Sequence, residues 1–176
     1  MNRRAWILGG VAMAAGAAGA GFSWHPTRLT GDSGSPLGPE FWAQRFERAE
    51  GGELALESLR NAPLLLNFWA TWCPPCVKEM PLLDSFYRQH QGTGWHVLGL
   101  AIDSPTPVRE FLAKRPVGFP IGLAGMTGTE LGRTLGNADG SLPFTVVVGR
   151  DGRVIDRKLG ALKESDLVRW VAAGRS

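Results

Sequence analysis

Cys73 and Cys76, the two cysteines of a 176-residue chain, stand three positions apart in the run NFWATWCPPCVKEMP (67–81), with Pro74 and Pro75 between them. Three kinds of chemistry use such a pair: a structural staple, a metal site and a redox exchange centre. A staple stabilises by closing a long loop, and this pair closes almost none. A zinc or copper site needs about four ligands or a soft set of S and N donors, and His25, His90 and His96 do not gather beside the cysteines. A redox Cys-x-x-Cys suits the position better. An apolar run leads into the pair and a helix-like pattern leaves it, so Cys73 falls where the N–H groups and dipole of a helix N-terminus favour a thiolate.

The elements that must position the pair follow from the patterning around it. PLLLNFWA (63–70) is a near-continuous apolar strand of the kind buried on both faces. Residues 74–90 place Val77, Met80, Leu82, Leu83, Phe86 and Tyr87 at helical spacing. WHVLGLAI (95–102) predicts the next strand and TPVREFLAKR (106–115) the next helix. A short strand near FPIGLA and a short helix over GTELGRTLG follow. PFTVVVGRDGRVIDRKLG (143–160) predicts two strands turning at Asp151-Gly152, and KESDLVRWVAA an amphipathic last helix. Strands alternating with helices and ending in a hairpin and a helix imply an α/β sheet covered on both faces.

The N-terminus is expected to be an export segment. MNRR gives a positive start, Ala5 to Trp24 carry no charge, and AGA at 18–20 offers a small-x-small cleavage pattern. The rival is an uncleaved anchor, since 20 residues can just span a bilayer. Twelve of those 20 residues are Ala or Gly, which makes a weak anchor. The paired arginines also resemble a twin-arginine signal. The division expected is therefore 1–21 export signal, 22–39 flexible Gly/Ser/Pro linker and 40–176 folded domain. The formal charge of +3 includes Arg3 and Arg4; beyond residue 20 there are 17 basic against 16 acidic residues, interspersed. Nucleic acid is accordingly excluded as a partner, and a membrane enters only through the N-terminal segment.

LLLNFWATWCPPC, Pro81 five residues after the second cysteine, and the later LPFTVVV resemble the exported TlpA/ResA-like thiol–disulfide oxidoreductases of the thioredoxin superfamily, over about Phe46 to Trp170. The resemblance implies a thioredoxin-like fold, a central mixed β-sheet flanked by helices on both faces. It implies Cys73 as the exposed nucleophile and Cys76 as the more buried resolving thiol, with no cofactor beyond their redox-active disulfide. It places Trp72 beside the pair, where a half-buried core aromatic is the plainer reading. Pro143 matches a cis-proline that would let the backbone of Leu142 pair with an extended substrate; an ordinary strand-starting proline is the alternative. Where cytoplasmic thioredoxin has a buried aspartate this chain has Asn67, which cannot take a proton. Glu79 matches an acidic residue of the family, either a proton shuttle for Cys76 in a partly apolar cleft or a solvated helix-surface glutamate.

The implied reaction is reduction of disulfides in exported proteins, for example apocytochrome c, in the periplasm, with electrons from a membrane thiol donor of DsbD/CcdA type. A disulfide oxidase is the same chemistry run backwards, and sequence separates the two poorly. Two rivals of other kinds are weaker. A peroxiredoxin needs P-x-x-x-[ST]-x-x-C, but the corresponding positions are Leu66 and Ala70 for Cys73, and Trp69 and Cys73 for Cys76. A thioredoxin-fold copper chaperone uses C-x-x-x-C with a distal histidine, and the spacing here is C-x-x-C.

Overall fold

The computed structural model describes residues 36–174; the expected export segment lies outside the described residues. Of the segment 22–39, only Pro36 onward is described. There Pro36 bridges to Arg153 and the Leu37 N–H donates to the Gly152 carbonyl at 2.8 Å.

The order of elements is α1 (Pro39–Trp42), β1 (Arg45–Arg48), β2 (Glu53–Ala55), a 3-10 turn (Leu56–Leu59), β3 (Leu64–Trp69), α2 (Pro74–His90), a second 3-10 turn (Gln91–Thr93), β4 (His96–Ala101), α3 (Pro105–Lys114), β5 (Ile121–Leu123), α4 (Gly125–Thr134), β6 (Phe144–Val148), β7 (Val154–Leu159) and α5 (Glu164–Ala173). From β3 onward these are the expected elements to within a few residues. The hairpin β1–β2 was not expected. Its strands are three and four residues long and charged, RFER and ELA, and bury mainly Phe46 and Leu54.

The strands form one mixed sheet in the order β2-β1-β5-β4-β3-β6-β7. β3, β4 and β5 run parallel, while β6 lies antiparallel on the other side of β3 and β7 antiparallel beyond it. All six residues of β3 are buried, as a strand covered on both faces requires. Its alternation divides the core. Leu65, Trp69 and their neighbours face the layer holding Met80, Leu83 and Phe86 of α2, Val108 of α3 and Trp170 of α5. Leu64, Leu66 and Phe68 face Phe41 and Trp42 of α1 and Leu131 of α4. Helices therefore cover both faces, as the alternation implied. Among the described residues no helix is long and apolar enough to cross a membrane.

Close approach rather than a turn explains Gly99 in β4. A Cβ there would lie 2.6 Å from Ile121 Cδ1, 3.1 Å from Trp69 Nε1 and 3.2 Å from Phe119 Cε2. Glycine thus makes room for the Trp69 ring, which also meets Phe111 with centroids 5.3 Å apart. Gly99→Ala is expected to overpack this layer and cost about 1–3 kcal/mol, read as a lower denaturation midpoint. An unchanged midpoint would show that the ring has other space to occupy.

Candidate active site

The carboxyl ends of the parallel strands β3 and β4 open onto the cysteine pair, the edge where open α/β sheets place their sites. Asp103, just after β4, ties the intervening loop down. One carboxylate oxygen accepts the Thr71 N–H at 3.1 Å and also the Thr71 hydroxyl, and the other accepts the Ser104 N–H at 2.7 Å. The Ile102 N–H donates to the Trp69 carbonyl at 2.7 Å. Both strand ends are thereby fixed to each other before the chain enters α2.

Cys73 is the N-cap of α2 and is disulfide-bonded to Cys76, with Cα atoms 5.3 Å apart. Pro74 and Pro75 fill the first two helical positions and carry no N–H, so the first turn has few donors to offer. The Cys76 N–H donates to Cys73 Sγ at 3.4 Å, and the Val77 N–H to the Cys73 carbonyl at 3.1 Å. One backbone donor, not the three of an open helix N-terminus, is aimed at the Cys73 sulfur.

The two sulfurs are not equally covered. Cys76 is fully buried, while Cys73 retains 5% exposure. Cys76 is the more covered of the two, and in the disulfide Cys73 shows only a sliver of surface rather than the expected exposed side chain. Trp72 is 66% exposed, so it is not the half-buried core aromatic of the plainer reading. The Leu142–Pro143 peptide bond is cis. Leu142 is half-buried where the two core layers meet, and β6 starts immediately after Pro143.

Glu79 gives the largest departure from a surface pattern. It lies one helical turn beyond Cys76 and keeps 3% exposure, which rules out the solvated glutamate. Oε1 accepts from Asn67 Nδ2 at 2.8 Å and Oε2 from the Leu162 N–H at 2.8 Å. Asn67 Nδ2 also donates to Thr145 Oγ1 at 3.0 Å, and Asn67 Oδ1 has no partner. Burial raises the proton affinity of Glu79 above that of an ordinary glutamate; the Leu162 N–H, the Asn67 amide and the Lys158 charge pull it back only in part. The site thus holds, beside the inner cysteine, a carboxyl able to take or give a proton nearer neutral pH than a solvated one. Thr145, Lys158 and Asp103 escaped the sequence reading. Thr145 had a signal, since it follows Pro143 by two residues and shares its alternation with Asn67 across the β3–β6 pair. Among the described residues, no three His, Cys, Asp or Glu side chains gather as a metal set.

Residues 33–170 match a family model described as Redoxin. The chain is 30% identical over 119 residues to the thiol–disulfide oxidoreductase ResA of Bacillus cereus, a match covering 67% of this chain and 66%, just under two thirds, of that relative. It is 27% identical to ResA of Bacillus thuringiensis, with 86% of each chain covered. Among solved structures, that of MTB dsbF in its mixed oxidized and reduced forms superposes with a TM-score of 0.66 at 27% identity, covering 78% of this chain and 98% of that one. The fold is thioredoxin-like: a central mixed sheet flanked by helices on both faces.

The raised proton affinity of Glu79 has a stability consequence whose sign is fixed. The native state binds this proton more tightly than the unfolded chain. Its contribution is therefore fully present below the unfolded glutamate value and is lost as pH rises through the higher native titration. Glu79→Gln carries no such proton. The melting temperature of the oxidised wild type should fall relative to Glu79→Gln as pH climbs through that window. Parallel curves for the two proteins would show that Glu79 titrates as an ordinary glutamate.

Proposed function

The chain belongs to the Redoxin family, and we propose that it is an exported thiol–disulfide oxidoreductase that reduces disulfides of other exported proteins through Cys73 and Cys76. One observation carries the reading. The cysteine pair, closed as a disulfide, caps α2 at the carboxyl edge of the sheet, with Cys73 the outer sulfur and a buried carboxyl one turn behind Cys76. The ResA relatives support it.

In the reduced protein the Cys73 thiolate attacks one sulfur of a substrate disulfide, and the other substrate sulfur leaves as a thiolate. Cys76 gives its proton to the Glu79 carboxylate, and its thiolate attacks Cys73 Sγ. The protein disulfide forms as the second substrate sulfur departs. Two electrons pass to the substrate, and its two thiolates take up two protons, one of them by way of Glu79. No bound cofactor takes part. Trp72, exposed beside the pair, and the backbone of Leu142 at Pro143 offer a surface for an extended substrate segment. The export-like residues 1–21 favour the periplasm, where an apocytochrome c would be a suitable substrate and a membrane thiol donor of DsbD/CcdA type would restore the dithiol.

The donors at Cys73 support the reductive direction. With prolines at the next two positions, the thiolate gains little beyond the Cys76 N–H, so the reduced form is poorly stabilised and gives up electrons readily. A redox titration followed by tryptophan fluorescence should have its midpoint well below the roughly −120 mV of a DsbA-type oxidant; a midpoint above about −150 mV would reverse the direction. The roles of the two cysteines are tested by trapping. Cys76→Ser should accumulate a mixed disulfide with its substrate, because the resolving thiol is gone. Cys73→Ser should trap little, because the remaining sulfur is fully buried. Equal trapping by both variants, or by neither, would overturn the assignment.

A further inference from the structure

A polar row crosses the sheet beneath α2. Asn67 of β3 stands opposite Thr145 of β6, and Thr145 stands opposite Lys158 of β7. Directly opposed residues share a face, and this is the face on which Glu79 is buried. The row starts at a fully buried amide and ends at an ammonium whose side chain keeps 29% exposure. Lys158 Nζ lies 3.3 Å from Asp166 Oδ2 in the first turn of α5. That carboxylate also accepts from the Lys163 N–H at 3.1 Å and from Arg169 at 3.2 Å.

We propose that Lys158 is a positioning residue of this site: from the end of the Asn67–Thr145–Lys158 row its ammonium favours the ionised form of Glu79, and Asp166 of α5 competes for the same ammonium. The effect of this control on disulfide exchange rests on the reading of Glu79 as the proton carrier.

The surroundings leave this role to Lys158. Asn67 and Thr145 are neutral, and the loop before α5 contributes the Leu162 N–H. Cys76, on the same helix, is fully buried. Lys163 and Glu164 are exposed. Asp156, farther along β7, bonds Arg169 and Trp170 Nε1. Of the cations, it is Lys158 whose charge draws Glu79 toward its ionised form. Asp166 is itself held ionised: burial works against its charge, but the Lys163 N–H, Lys158 and Arg169 more than offset that, so its proton affinity is below the ordinary value. A negative charge on α5 thereby shares the cation that, among the described residues, favours the Glu79 carboxylate.

The test uses the full chain in its oxidised form, where the cysteines do not titrate. Glutamate side-chain carboxyls are labelled with 13C and followed by NMR against pH, the Glu79 signal being assigned by its loss in Glu79→Gln. Lys158→Met should move the Glu79 midpoint upward by several tenths of a pH unit or more, because an opposite charge is lost. Lys158→Arg should restore it, and Asp166→Asn should move it downward. A lysine that merely packs would lower the melting temperature in the Met variant and leave the midpoint in place. A midpoint equal to wild type in Lys158→Met, or an Arg variant that behaves like Met, overturns the proposal. The exchange rate of the reduced protein against pH separates the underlying reading: if Glu79→Gln leaves that profile unchanged, Glu79 is not the proton carrier, while the titration results still decide the role of Lys158.

Discussion

Burial of one carboxyl against the central strand organises the site. Glu79 is presented by α2, and the groups that receive it come from β3 and from the segment leading into α5. A carboxylate taken out of water is costly unless its oxygens are met by donors. Seating α2 in any other register would leave Glu79 without the Asn67 amide and the Leu162 N–H. The same seating puts Cys76, one turn earlier, into the dry layer under the helix and leaves Cys73 at its rim. The unequal burial of the two cysteines and the position of the carboxyl thus have one cause.

The loop that delivers the chain into α2 is fixed from the other side. Asp103 follows the strand beside β3, yet it holds Thr71 through both backbone and hydroxyl. Strand β3 is therefore clamped at its carboxyl end by its parallel neighbour, and α2 begins from a fixed point. Between the clamp and Glu79 the cysteine segment has little freedom. Pro74 and Pro75 stiffen it further by holding φ near the helical value.

Much of this arrangement was legible in the sequence. The apolar run of β3 and the 3.6-residue period of α2 marked the strand–helix junction, and the L-P-x-T context marked Pro143. The hairpin β1–β2 was not legible, because strands of three and four residues with charged ends show too few alternations to stand out from a loop. The burial of Glu79 was only half legible. Its spacing from Cys76 and Leu83 puts it on the apolar face of α2, but the groups that receive it, the Asn67 amide and the Leu162 N–H, lie elsewhere in the sequence. For Trp72 the sequence left two readings open, and its exposure removes the core-aromatic one.

Asn67 shows why an amide suits this position better than a second acid would. A carboxylate 2.8 Å from Glu79 could not be ionised along with it. An amide offers a donor on one side and an acceptor on the other, and it can turn over. With Glu79 ionised, Nδ2 faces Oε1, and Oδ1 is the atom left without a partner. With Glu79 protonated, an amide turned over would present Oδ1 to the new O–H. The neighbour must then tolerate both orientations, and a hydroxyl does: Thr145 Oγ1 accepts from Nδ2 in the first arrangement and can donate to Oδ1 in the second. Valine at 145 would fill the same space and support neither. Asn67 and Thr145 together thus keep a hydrogen bond to the buried carboxyl in either charge state, while the far atom of the amide, Oδ1 before the turn and Nδ2 after it, stays without a partner.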